Sequence, residues 1–303
     1  MITTRCGLYC LAAGLLAGSL LSGAIGQEKK INVIAFGAHP DDCDGRAGGT
    51  AAKWAAMGNQ VRFVSVTSGD AGHQSQGGGA LAARRRSEAR EAGKRVGVDY
   101  ITLDNHDGEL LPTLEIRQQI IRLIRQWNAD LVLSPRSVDY HPDHRYTGIL
   151  VQDAAFMVTV PNICPDTPAL RKNPVFMYFQ DGFQKPNPFN PDVAVAIDDV
   201  IDKKIGMMDA HVSQMYEWLP WHAGKLDQVP TDSAARKEWL SKQRSMAPNA
   251  AVREALVKWY GADTAKQIKY AEAFEVCEYG ARPGADDIRR LFPFFPAAST
   301  PAR

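Results

Sequence analysis

The stretch AFGAHPDDCDGRAGG (35–49) sets His39 three residues before Asp42, with Pro40 and Asp41 between them, directly after an apolar run. Crowding an imidazole and two carboxylates at the end of a buried strand costs stability through repulsion and desolvation, so the cluster calls for a compensating group. Pro40 stiffens the turn, which lets His39 and Asp42 converge on one point while Asp41 is aimed elsewhere. A divalent cation at that point turns the repulsion into attraction and keeps the imidazole neutral as a ligand. A second stretch, SPRSVDYHPDH (134–144), repeats the pattern with His141 and His144 across a proline. Aspartates also serve as turn residues and helix caps, so the first stretch alone proves little; the two together are a strong signal. Two histidines and one carboxylate with open positions match a catalytic zinc site rather than a closed structural one. Fe2+ accepts the same ligand types.

Strands must present these turns. INVIAF (31–36), VRFVSV (61–66), Ile101–Leu103 and Leu131–Leu133 read as strands. Between them Arg46–Met57, Leu81–Val96 and Thr113–Trp127 read as helices, the last with apolar residues at Leu114, Ile116, Ile120, Ile121 and Ile124. This alternation predicts an α/β fold: a Rossmann-like open, mostly parallel sheet with helices on both faces. Two histidine turns at the carboxyl ends of parallel strands would then face one crevice, at the switch point where such sheets bind ligands. The glycine-rich GDAGHQSQGGGA (69–80) also follows a strand end, as a ligand loop or a mere connection.

Beyond Pro161 prolines become frequent and the pattern loosens. PVFMYF (174–179) and VAVAI (193–197) read as strands, Asp198 as the cap of a helix to about Met215, and Asp232–Ser245 and Ala250–Tyr260 as helices. No repeat and no long polar linker interrupts residues 27–303, which are read as one domain with a loose tail after Pro293.

The 303 residues are 45% hydrophobic and 23% charged, ample for a core. Lys plus Arg total 35 against 34 acidic residues. That balance gives no reason to expect a nucleic-acid or anionic-membrane partner. Residues 1–26 read as a signal peptide: Arg5 in the n-region, an apolar Leu8–Leu21, and small residues before cleavage after Gly26. Export to the periplasm or the extracellular space is the expectation; the alternative is an uncleaved anchor, since Leu8–Ile25 carries no charge. Cys43, Cys164 and Cys277 make no disulfide framework, and whether Cys164 and Cys277 pair is open.

AHPDD after the first strand and HPDH after a later one resemble the signature of the PIG-L/LmbE family, zinc-dependent deacetylases of N-acetylglucosamine-type substrates. The similarity spans roughly residues 31–215, and the intervening RRRSEAREAGKRVGV helix and DGEL (107–110) agree with it. The resemblance implies that His39, Asp42 and His144 hold the metal and that Asp41 is the general base. It implies further that His141 stabilises the oxyanion and that Arg85 and Asp107 support the pocket for an acetamido sugar or glycoconjugate. Chemistry is consistent with those roles: zinc lowers the pKa of a bound water to roughly 7, and an unligated carboxylate can take its proton during attack on the acetyl carbonyl. A protonated His141 could then meet the developing oxyanion.

Other residues carry two readings. Arg85 is a substrate contact or a solvated helix charge, Asp143 a group that orients a histidine, and His73 a substrate contact or an exposed loop residue. His211 resembles a position near the family's pocket; His106 packs beside the DGEL turn; Cys43 is a small apolar residue entering a helix. YEWLPWH (216–222) is a sugar platform or core. Two further functions fit the ligand set, a non-haem iron oxygenase and a non-catalytic carbohydrate-binding protein. The spare Asp41 argues for hydrolysis over both.

Overall fold

The computed structural model describes Met1 and residues 30–243 and 246–296. The expected leader therefore lies outside the described residues apart from Met1. Strands β1 (Asn32–Gly37), β2 (Gln60–Thr67), β3 (Asp99–Asn105), β4 (Leu131–Ser134), β5 (Val175–Phe179), β6 (Val193–Ala196) and β7 (Ala271–Cys277) form one sheet in the order β3-β2-β1-β4-β5-β7-β6. The first five are mutually parallel; β7 runs antiparallel to β5 and β6. The chain moves outward from β1 through β2 to β3, then returns to the other side of β1 with β4. The β1/β4 seam is thus the switch point, and both histidine turns leave from it, as the sequence pattern predicts.

Helices α1 (Asp42–Ala56), α2 (Gly78–Val96), α3 (Leu114–Gln126), α4 (Pro142–Met157) and α5 (Ile201–Ala210) cover the sheet. Side-chain alternation along β1 divides the core. Val33 and Ala35 join Trp54 and Phe63 on one face; Ile34 and Phe36 join Ile120, Ile124, Val132 and Leu150 on the other. Burial on both faces is why these strands read as unbroken apolar runs rather than alternating ones. Thr113 caps α3 by accepting from the Ile116 amide.

Later segments differ from expectation. Helix α4 is absent from the sequence reading because half of its buried face is small residues, Thr147, Gly148, Ala154 and Ala155, with Leu150 and Val151 as the larger apolar ones. Gly148 is required there: a Cβ would lie 2.7 Å from the Arg136 carbonyl oxygen, so glycine lets α4 close on the loop after β4. Strand β7 is masked by two glutamates; one, Glu272, is buried, with its carboxylate accepting from the Gly49 and Thr50 amides and from Lys204 Nζ. Asp198 does not cap a helix, since its carboxylate accepts from the Lys269 and Tyr270 amides.

The expected helix through Met215 breaks at His211 (φ −84°, ψ 62°) and resumes as a π-helix, Ser213–Trp218, leading into the short α6 (Leu219–His222). Helices α7 (Ser233–Gln243), α8 (Ala250–Tyr260), α9 (Ala262–Gln267) and α10 (Ala285–Leu291) follow; Ser245 of the expected longer α7 is outside the described residues. The chain stays packed past Pro293: Phe295 stacks on Trp259 at 5.1 Å and Phe294 lies 6.0 Å from Trp54, so both rings extend the aromatic core around these buried indoles. Residues 297–303 lie outside the description. Cys43, Cys164 and Cys277 are buried free thiols, so Cys164 and Cys277 do not pair. Among the described residues no helix is long and apolar enough to cross a membrane.

Candidate metal centre and substrate cleft

After β1 the amides of Asp41 and Asp42 both donate to the His39 carbonyl, at 3.0 and 3.2 Å. Asp41 sits at φ 150°, ψ −17°, a backbone state that costs a residue with a Cβ about 1–3 kcal/mol. That conformation parts the two neighbouring carboxylates. Asp42 Oδ2 lies 3.6 Å from His39 Nδ1 and 3.4 Å from His144 Nε2, while Asp41 Oδ1 accepts from Arg85 at 3.2 Å. After β4, His141 is the N-cap of α4: its Nδ1 accepts from the Asp143 amide, and Pro142 opens the helix where no amide is needed. His144 follows in the first turn.

The two histidine nitrogens, His39 Nδ1 and His144 Nε2, are 3.2 Å apart. Ligand atoms on a tetrahedral zinc with bonds of about 2.0–2.2 Å stand roughly 3.3–3.6 Å from one another. The three separations match, so His39, Asp42 and His144 fit one divalent cation. Each histidine's other nitrogen is held by a carboxylate, His39 Nε2 by Asp107 at 2.9 Å and His144 Nδ1 by Asp139 at 2.9 Å. Such outer carboxylates fix the ring and raise its basicity. Asp139 is absent from the sequence reading, though it lies in the same DYHPDH segment. Asp143 stands 3.4 Å from His39 Nε2, and its carboxylate also accepts from the Gly108 and Leu110 amides, clamping the DGEL turn to α4. A second grouping of His39, Asp107, His141 and Asp143 is this hydrogen-bonded surround, because it shares a His39 ring already committed to Asp107.

Electrostatics agree with the geometry. Burial opposes a charge on His39, yet the bonds to Asp107, Asp143 and Asp42 hold its pKa well above the ordinary value. His144 is likewise opposed by burial and raised by Asp42 and Asp139, to about 9. The cluster favours positive charge at its centre. Burial also raises the Asp41 carboxyl, with Arg85 opposing. Burial lowers His141, and repulsion from His39 and His144 adds to this. The Asp143 amide occupies His141 Nδ1, so a hydrogen bond from this ring to a ligand would come from Nε2.

His39, Asp41, Asp42, Asp107, Tyr140, His141 and His144 line a cleft of about 660 Å³ together with Gln214, Met215, Trp218, Leu219 and His222; the Tyr140 ring lies 5.6 Å from that of His144. Arg85 also lines it, but at 2% exposure it is no solvated helix charge. Its guanidinium donates to the carbonyls of Gly69 and Pro40 as well as to Asp41, and reaches within 3.7 Å of Asp107. Gly69, at φ 69°, leaves the space that guanidinium fills. His73 is neither exposed nor in the cleft; Nε2 meets Glu217 at 2.8 Å and Nδ1 accepts from the Ser75 and Gln76 amides. His211 lies beneath the site, fully buried, 3.3 Å from Asp44. His106 is exposed and pairs with Asp70, and Cys43 is core. The structure thus assembles seven of the expected site residues around the cleft with Asp143 behind them, and sets His73 and His211 apart from it.

Residues 34–155 match the PIG-L family, GlcNAc-PI de-N-acetylase. A diacetylchitobiose deacetylase of Thermococcus kodakarensis is 33% identical over 202 residues, which cover 62% of this chain and 73% of the relative. The chain belongs to the PIG-L family. The PIG-L fold also extends past the matched segment. The N,N′-diacetylchitobiose deacetylase of Pyrococcus horikoshii superposes over 82% of this chain and 84% of its own, with TM-score 0.60 and 24% identity. The 4-carboxy-2-hydroxymuconate hydratase of Pseudomonas putida does so over 83% and 97%, with TM-score 0.60 and 21% identity. At these identities the likeness concerns fold alone, and the two activities show that this fold does not by itself fix the reaction.

Proposed function

We propose that this PIG-L protein is a metal-dependent hydrolase that removes an N-acetyl group from an acetamido sugar or sugar conjugate. The observation that carries the reading is the convergence of His39, Asp42 and His144 at cation-binding separations, with Asp41 in the same cleft but outside the ligand cluster. A divalent cation held by those three side chains would supply Lewis acidity and lower the pKa of a water to roughly 7. Asp41 accepts the proton of the attacking water as its oxygen adds to the acetyl carbonyl carbon. His141 Nε2–H donates to the carbonyl oxygen as negative charge grows there, a role that a neutral ring performs. Asp41 then returns the proton to the sugar nitrogen, the C–N bond breaks, and acetate and a free amine leave. Arg85 holds Asp41 in place and, by opposing the effect of burial, favours its ionised form.

The 33% identity to a diacetylchitobiose deacetylase supports acetamido sugars as the substrate class. Zinc is the expected ion, with Fe2+ accommodated by the same donors. The leader read from residues 1–26 would place the reaction outside the cytoplasm, and sequencing the amino terminus of the mature protein tests that: Met1 retained on intracellular protein refutes it. For the chemistry, the test is acetate release from a panel of acetamido sugars by protein of known metal content. Turnover abolished by chelation, restored by zinc and indifferent to oxygen is the expected result. Oxygen-dependent turnover would move the assignment to an iron oxygenase, and water addition to an unsaturated acid to a hydratase.

A further inference from the structure

Part of the cleft wall is built from an uncommon element. Ser213–Trp218 is π-helical, a geometry rare in proteins and frequent at functional sites. Its outward side is tied down. The Ser213 amide and hydroxyl donate to Glu88 at 3.0 and 2.6 Å. Tyr216 Oη donates to Asp209 at 2.7 Å, and Glu217 accepts from Arg84 at 2.6 and 2.8 Å while meeting His73 at 2.8 Å. Its inward side supplies Gln214, Met215 and Trp218, continued by Leu219, to the cleft. Trp221 does not line the cleft. It stacks on Trp218 with centroids 5.4 Å apart and planes 21° from parallel, covering one indole face and steadying the plate. His222 adds a polar edge 5.4 Å away.

Resting on the deacetylase reading above, we infer that Trp218, backed by Trp221, is a stacking platform for a second sugar ring joined to the one that loses its acetyl group. Three features select that occupant. Clefts for drug-sized ligands run about 300–1,000 Å³, so 660 Å³ leaves room beyond a single ring. The carboxylates and histidines gather where an acetamido group would react, and the π-helix adds one indole face, Trp218, flanked by the polar edges of Gln214 and His222 and by Met215 and Leu219. A pyranose matches such a surface, with an apolar C–H face for the indole and hydroxyls at its rim. An alkyl chain would leave the polar edge without partners.

The test compares Trp218→Ala, Trp218→Phe and Trp221→Ala with the parent protein on N-acetylglucosamine and N,N′-diacetylchitobiose, by acetate release and by calorimetric binding. The expected result is that Trp218→Ala lowers the disaccharide-to-monosaccharide ratio of kcat/KM roughly tenfold, chiefly through KM for the disaccharide. Trp218→Phe keeps most of the preference and Trp221→Ala loses part of it. Equal losses on both sugars, as a purely structural tryptophan would give, overturn the platform; so does a ratio unmoved by Trp218→Ala. If neither sugar releases acetate the deacetylase reading fails, and binding still decides the platform. Disaccharide affinity weakened selectively by Trp218→Ala sustains it, while equal affinities or no binding of either sugar overturn it. An n-octyl glycoside of N-acetylglucosamine held as tightly as the disaccharide, with the same dependence on Trp218, would also overturn it, in favour of an aliphatic occupant.

Discussion

The two sides of the cleft are made in opposite ways. On the side of the candidate metal centre, turns of a few residues at the ends of adjacent strands β1 and β4 bring the candidate ligands together, and spacing within each turn fixes the geometry. On the far side nothing local suffices: the π-helix is held by Glu88, Arg84, His73 and Asp209, from α2, the glycine-rich loop and α5. A site can thus be rigid by local construction on one side and by distant anchoring on the other. Only the first kind leaves a motif.

Substitutions should separate the two sides. His144→Ala is expected to have the largest effect, with loss of bound metal by elemental analysis and turnover falling with it. Asp41→Asn should retain the metal and lower kcat by about 10²–10⁴, the usual contribution of a positioned base; metal lost with this change would make Asp41 a ligand. Asp139→Asn should weaken metal affinity by about 10–100-fold in a competition titration, because His144 loses the partner that orients it. Gly148→Ala should destabilise the fold by about 1–3 kcal/mol in denaturant unfolding, since the added methyl meets the Arg136 carbonyl. Glu217→Gln should have the smallest effect. Its pair with Arg84 is part-exposed and contributes at most about 1 kcal/mol, so metal content should hold while the far wall loosens and KM for larger sugars rises. A metal-depleted Glu217→Gln protein would show that the sides are not separable.

The same contrast explains what the sequence reveals. Strands β1, β2 and β4 are legible because burial on both faces makes them continuous apolar runs, and the histidine spacing is legible because three residues suffice to set it. Asp139 is not, since an aspartate before a turn has many uses, and only the 2.9 Å contact to His144 distinguishes it. The use of His141 Nδ1 as a cap for the Asp143 amide at 3.2 Å is a detail that residue identity does not carry. Helix α4 hides because small residues form half of its buried face, and β7 because Glu272 looks exposed until Lys204 and two amides are seen around it. His73 and His211 illustrate the converse: histidines that a sequence offers as site candidates, used by the fold for pairing with Glu217 and with Asp44.

The backbone at Asp41 belongs by preference to glycine. At φ 150°, and with Arg85 on its carboxylate, Asp41 is turned away from the point where His39, Asp42 and His144 converge. Loosened, the side chain could swing toward its neighbour and become a fourth donor, closing the coordination position that a reacting molecule needs. Local discomfort in this one residue would thus separate an open centre from a sealed structural one.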